Sequence, residues 1–125
     1  MKILVVDDHP SNVELLTQFL ETSGYEVRTA ANGEQALRAV SQDRPDLVIM
    51  DLNMPGLAGW ETTQLLKRNP QTQHIPVIVV TADNSRSAYQ RAIDVGCTAY
   101  HVKPIDLWDL AATISTLLKP SEGAA

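Results

Sequence analysis

The sequence predicts an α/β fold, a five-stranded parallel doubly wound sheet of the form (βα)5 with strand order 2-1-3-4-5. Three observations predict it. Short β-rich apolar runs alternate with stretches of helical length and period, which argues for a parallel sheet covered on both faces. Three of the runs are continuously apolar, as central strands buried on both sides are, while two mix polar with apolar residues, as edge strands do. The chain has 125 residues, the size of one compact domain.

The elements follow in order. Ile3–Val6 is the first strand. The first helix has Pro10 in its opening turn, buries Val13, Leu16, Phe19 and Leu20, and stops at Gly24. Tyr25–Ala30 is a mixed strand; a helix from Gly33 to Gln42 follows, with Asn32 as its N-cap and Gln35 three residues on. Leu47–Met50 is the third strand, and the third helix runs from Gly59 to Arg68, ending before Pro70. Ile75–Val80 is the fourth strand, which tolerates Pro76 because it falls at the start. The fourth helix runs from Asn84 to Val95 and stops at Gly96; Ala99–Val102 is the second mixed strand. In the last helix Leu107, Leu110, Ala111, Ile114, Leu117 and Leu118 keep the i, i+3, i+4, i+7 rhythm of one buried face. Asp106 is its natural N-cap, and Ile105 and Leu110 occupy the positions of a hydrophobic staple. Residues 1–119 thus form one domain, and Pro120–Ala125 reads as a frayed tail.

Composition removes several function classes. Ten Lys+Arg against fifteen Asp+Glu give a net charge of −5, without the basic balance of a nucleic-acid binder. The single Cys97 supplies neither an intramolecular disulfide nor a cysteine-rich zinc site. No apolar run approaches the ~20 residues of a membrane span, and the first strand begins too early for a signal peptide. The expectation is a cytoplasmic protein that contacts neither nucleic acid nor membrane.

Chemistry collects at one rim. In doubly wound sheets ligands bind beyond the carboxyl ends of the strands, where the order reverses. Asp7 and Asp8 stand at the end of the first strand, Asp51 at the third, Thr81 at the fourth and Lys103 at the fifth. Three carboxylates converging there repel one another, and a divalent cation removes the conflict. Oxygen-only ligands open to water suit Mg2+ or Mn2+ better than zinc. A lysine opposite the metal would neutralise a phosphoryl oxygen, and a threonine hydroxyl would donate to another, which is the charge set of phosphoryl transfer. Asp51, flanked by the acidic pair on one side and by Thr81 and Lys103 on the other, is the best candidate for a nucleophile that forms an aspartyl phosphate.

Four motifs carry a family resemblance: Asp7-Asp8 after Val5-Val6, Asp51-Leu52-Asn53-Met54-Pro55 with Gly59, Thr81-Ala82, and Lys103-Pro104. Together, each at its own strand end, they make the chain from Lys2 to Leu118 resemble a response-regulator receiver domain, the CheY-like phosphoacceptor of two-component signalling. The resemblance implies a flavodoxin/CheY-like three-layer sandwich. It implies that Asp51 accepts a phosphoryl group from a phosphohistidine, and that Asp8, Asp51 and the carbonyl of Asn53 bind Mg2+, with Asp7 acting through metal-bound water. It implies that Lys103 pairs with the phosphoryl group, that Thr81 swings in to hydrogen-bond it, and that Tyr100 is the coupled aromatic switch. Asn53 and Asp83, two residues beyond Asp51 and Thr81, would tune the lifetime of the phosphoryl group, and Lys103-Pro104 would be a cis peptide. Ala58 departs from the acidic residue the family often has there. The implied protein is a signalling switch with only Mg2+-dependent self-phosphorylation and slow autodephosphorylation. Its phosphodonor would be a histidine kinase or histidine phosphotransfer protein, its target an unidentified protein, and its state a monomer or a phosphorylation-dependent dimer.

Other residues carry plainer expectations. Asp7 and Asp8 by themselves would serve as helix caps. Trp60 reads as packing, Trp108 as an exposed partner anchor or a partly covered side chain, and Cys97 as the filler of a core gap. His9 adjoins the acidic pair and invites a transition-metal reading, which is set aside because the phosphohistidine that the resemblance implies comes from the partner, and His74 and His101 read as structural or solvated. A Mg2+-dependent phosphohydrolase would want an Asp-x-Asp after its first strand and a cap domain over its substrate. A flavin or nucleotide binder would want a Gly- or Ser/Thr-rich phosphate loop there. Asp7-Asp8-His9-Pro10 offers neither.

Overall fold

A computed structural model describes residues 1–52 and 59–118. Ten elements alternate in chain order: β1 (Lys2–Val6), α1 (Pro10–Thr22), β2 (Glu26–Ala30), α2 (Gly33–Gln42), β3 (Leu47–Asp51), α3 (Gly59–Arg68), β4 (Val77–Thr81), α4 (Arg86–Asp94), β5 (Ala99–Val102) and α5 (Leu107–Leu118). The strands form one parallel sheet in the order β2-β1-β3-β4-β5, as the run compositions require. β3 and β4 are buried along their whole length, whereas β2 and β5 are largely half-buried or exposed.

The pleat sorts each central strand between two cores, because successive side chains point to opposite faces. Ile3, Val5, Leu47, Ile49, Ile78 and Val80 face α1 and α5, where Leu16, Leu20, Leu110 and Ile114 close the layer. Leu4, Val6, Val48, Met50, Val77 and Val79 face the opposite side, against Ala36, Val40 and Leu66 of α2 and α3. On that same side α4 meets its neighbours through Tyr89, edge-on to Tyr100 at 5.4 Å, and Arg91, whose guanidinium lies 5.0 Å over the Trp60 ring. In α1 only Leu16 and Leu20 are fully buried. Val13 and Phe19, expected in the core, are half-covered at its edge.

Helix termini follow local chemistry. Asn32 Oδ1 accepts the Gln35 N–H at 2.8 Å, and Gln35 Oε1 returns the bond to the Ala31 N–H at 2.9 Å. Asp106 Oδ1 accepts from the backbone of Trp108 (2.9 Å) and Asp109 (3.2 Å). Gly24 and Gly96, just past α1 and α4, have φ of +96° and +89°, which a side chain would disfavour.

Most boundaries fall within one residue of the sequence expectation, and two differ by two residues. β4 begins at Val77 rather than Ile75, because the Ile75 N–H is engaged by Thr72 in a preceding turn and Pro76 has no N–H to give. Ile75 is nevertheless buried, so its apolarity marks the core and not strand pairing. α4 begins at Arg86 rather than Asn84, because Ser85 caps it through the Ala88 N–H. The tail expected at Pro120–Ala125, and with it Asn53 and Ala58, lies outside the described residues. Among the described residues no helix is long and apolar enough to cross a membrane.

Candidate metal centre

The site is assembled by ladder bonds that continue past the strand ends. The Asp7 N–H donates to Ala30 at 3.0 Å, Leu52 to Val80 at 3.1 Å and Lys103 to Thr81 at 2.7 Å. These bonds draw the ends of all five strands together at the carboxyl rim. Asp51 pairs in register with Val80, and Thr81 with Val102. The Lys103–Pro104 peptide is cis.

Ligand atoms of Asp7, Asp8, His9 and Asp51 lie within 4.8 Å of one another. Asp7 and Asp51 are almost fully buried, at 5% and 2% exposure. Asp7 Oδ1 accepts the His9 N–H at 2.9 Å, so it closes a turn onto the next residue but one. His9, the N-cap of α1, makes no side-chain cap. Asp8 Oδ1 is buried and accepts no hydrogen bond, although His9 Nδ1 lies 3.0 Å away. A buried carboxylate oxygen in this condition beside two further carboxylates is costly unless a cation faces it. The donor set, three carboxylates at an open rim, therefore fits a hard divalent ion. Lys103 Nζ sits 3.3 Å from Asp51 Oδ1 and supplies the one lysine charge at the cluster among the described residues.

Thr81, Asp83 and Tyr100 form a second group along β4 and the turn after it. The buried Thr81 hydroxyl accepts the Asp83 N–H at 3.1 Å, and Asp83 Oδ1 accepts the Ser85 N–H at 2.9 Å. That backbone bond, with help from the Ser85 side chain, holds the Asp83 carboxyl below its ordinary value. Tyr100 donates its hydroxyl hydrogen to the Asp83 carbonyl. Burial, and then Asp83 and Cys97, push the Tyr100 phenol upward, so it stays a donor. The structure thus brings Asp7, Asp8, Asp51 and Lys103 into one cluster and Thr81, Asp83 and Tyr100 into a neighbouring one. It also brings in His9, which sequence reasoning weighs beside the acidic pair and sets aside. His9 Nδ1 lies 3.1 Å from Asp7 Oδ1, 3.0 Å from Asp8 Oδ1 and 3.8 Å from Asp51 Oδ2. Its place directly after the acidic pair was the only signal available.

Residues 3–115 match the family described as the response regulator receiver domain. Among curated relatives, the response regulator PleD of Caulobacter vibrioides is 39% identical over 118 residues, which is 94% of this chain but 26% of PleD. The chain therefore spans about a quarter of that relative's length. The polar-differentiation response regulator DivK of Brucella anthropi is 38% identical over 116 residues, 93% of this chain and 94% of DivK. Among solved structures, response regulator protein TrrA of Thermotoga maritima, in complex with Mg2+-BeF, is 34% identical with a TM-score of 0.83, covering 94% of this chain and 98% of TrrA. With the 2-1-3-4-5 sheet and the acidic rim in place, the chain belongs to the response-regulator receiver domains, the signalling switches of two-component systems.

Proposed function

We propose that this receiver domain accepts a phosphoryl group on Asp51 from the phosphohistidine of a histidine kinase or histidine phosphotransfer protein in the cytoplasm. The observation that carries the reading is the meeting of Asp7, Asp8 and Asp51 in one buried cluster with Lys103 Nζ 3.3 Å from Asp51. A carboxylate oxygen of Asp51 attacks phosphorus. A P–O bond forms as the P–N bond of the donor breaks, and the imidazole departs with the electron pair and takes a proton from solvent. Asp8, Asp51 and the Asn53 carbonyl would hold Mg2+ (or Mn2+ as a substitute), with Asp7 acting through metal-bound water. The ion supplies neutralisation of charge on the transferring group. The Mg2+-BeF complex of TrrA supports a Mg2+ site in this chain by likeness. Lys103 pairs with one phosphoryl oxygen as a point charge.

The groove beside the cluster, lined by Asn12, Leu15, Leu16, Pro104, Ile105 and Leu107, suits the approach of the donor. After transfer, the Thr81 hydroxyl leaves the Asp83 N–H and donates to a phosphoryl oxygen. Tyr100 releases the Asp83 carbonyl and turns into the space vacated. The face of α4, β5 and α5 is thereby repacked for a partner protein, a population shift between two arrangements. Asn53 and Asp83 govern how readily water reaches the phosphoryl group.

Acetyl phosphate with Mg2+, read by intact mass on wild type and Asp51→Asn, tests the chemistry. One added phosphoryl group on wild type alone is the expected result. Addition to both proteins, or to neither, overturns the assignment of Asp51.

A further inference from the structure

We propose that Tyr89 of α4 is a positioning residue for the Tyr100 switch: its ring holds Tyr100 in the outward, hydrogen-bonded place and so opposes loading of a phosphoryl group at Asp51. The proposal rests on the reading of Asp51 as the phosphoacceptor and of Thr81 and Tyr100 as its coupled switch, and adds to them a residue that neither the motifs nor the acidic rim assigns.

Two attachments fix Tyr100 where it stands. Its hydroxyl donates to the Asp83 carbonyl, and the Asp83 N–H in turn donates to Thr81 Oγ1 at 3.1 Å. Its ring meets that of Tyr89 edge to face, with centroids 5.4 Å apart and planes at 88°. The first attachment leads to the threonine that must move. The second comes from a different element, the helix of the face that is repacked. Edge-to-face contact depends on the mutual orientation of the two rings, so a turn of Tyr100 into the space beside Thr81 gives it up. Little else holds Tyr89. α4 turns only Ala88 and Ala92 into the core, and Tyr89 is 51% exposed. Tyr100, by contrast, packs against the core between the sheet and α2 and α3. The Tyr89 contact therefore favours one of the two arrangements, the one without phosphate, and loading must overcome it. The coupling is reciprocal: an occupied Asp51 frees the Tyr89 ring.

Beryllofluoride with Mg2+ serves as the phosphoryl mimic. It is titrated into the full chain and into Tyr89→Leu and Tyr89→Phe, with the tyrosine ring signals read by NMR. Tyr25, which precedes β2 at the opposite rim of the sheet, is the internal reference. Tyr89→Leu is expected to bind the mimic on the order of threefold to tenfold more tightly than wild type. Its Tyr100 signal, before any mimic is added, is expected to lie part-way toward the loaded position. Tyr89→Phe keeps the ring edge and is expected to match wild type in both respects. Unchanged or weaker affinity in Tyr89→Leu, or an equal gain in Tyr89→Phe, overturns the role of Tyr89 and leaves Asp51 as the acceptor. Failure of the mimic to bind wild type overturns the Asp51 reading and this proposal with it, and the acetyl phosphate experiment would then fail as well.

Discussion

At Gly59 the space for one methyl group is missing between the start of α3 and the end of β3. A Cβ there would stand 2.7 Å from the Asp51 carbonyl oxygen and 3.0 Å from Leu52 Cα. Both are backbone atoms at and just past the end of β3, so relief requires the strand end or α3 to move. Gly59→Ala should therefore destabilise by roughly 1–3 kcal/mol despite the better helix propensity of alanine, seen as a lower urea midpoint, and should slow phosphoryl uptake. Cys97 offers a pH dependence. Burial raises its thiol above the ordinary 9.0, a rise that the nearby Lys67 charge only partly opposes. A folded value above the unfolded one means the contribution to stability is whole below about pH 9 and is lost as pH rises through the higher folded value. Iodoacetamide alkylation of native protein should accordingly stay slow to that pH, with a midpoint above that of the urea-unfolded chain; coincident midpoints would contradict it. Site residues of this kind were legible where their chemistry demands a residue type at a strand end, as with Asp51 and Lys103. His9 was legible only as a neighbour of the acidic pair, because a histidine in a sequence has no direction. Its ring faces the acids only through the turn that Asp7 Oδ1 closes on its N–H.

Among the elements, α5 depends most visibly on its cap. Asp106 Oδ1 serves two otherwise orphaned N–H groups of the first turn. Asp106→Ala should cost about 1 kcal/mol in chemical denaturation and fray the start of the helix, with faster amide exchange at Trp108 and Asp109 than at Ile114. The capping pairs at α2 and α5 were readable because they are short-range patterns. The strand edges were less so. Ile75 continues the apolar run of β4, yet its N–H belongs to the Thr72 turn, and hydropathy reports burial without reporting which carbonyl a backbone group pairs with. The order of strands was recoverable for the same reason: covering both faces of β3 and β4 requires uninterrupted apolar sequence, and the edges β2 and β5 do not.

In the whole molecule, one helix carries both a core side chain and an exposed indole. Ile114 is fully buried between α5 and the sheet, while Trp108, two turns earlier, is 84% exposed. Ile114→Ala should lose about 2–5 kcal/mol. Trp108→Ala should stay within about 0.5 kcal/mol of wild type and show its effect only in complexes with the downstream partner, measured by titration with the phosphorylated protein. Comparable losses of stability in the two variants would contradict this division. The contact of Arg91 with Trp60 has a different consequence. Trp60 lies in the first turn of α3, and the guanidinium over its ring belongs to α4. The chain's two indoles are thus placed unalike, one in bulk solvent and one sandwiched between helices. Changes in the spacing of α3 and α4 should therefore alter the emission of Trp60 more than that of the solvent-exposed Trp108, so the unlabelled protein carries its own optical gauge of that spacing.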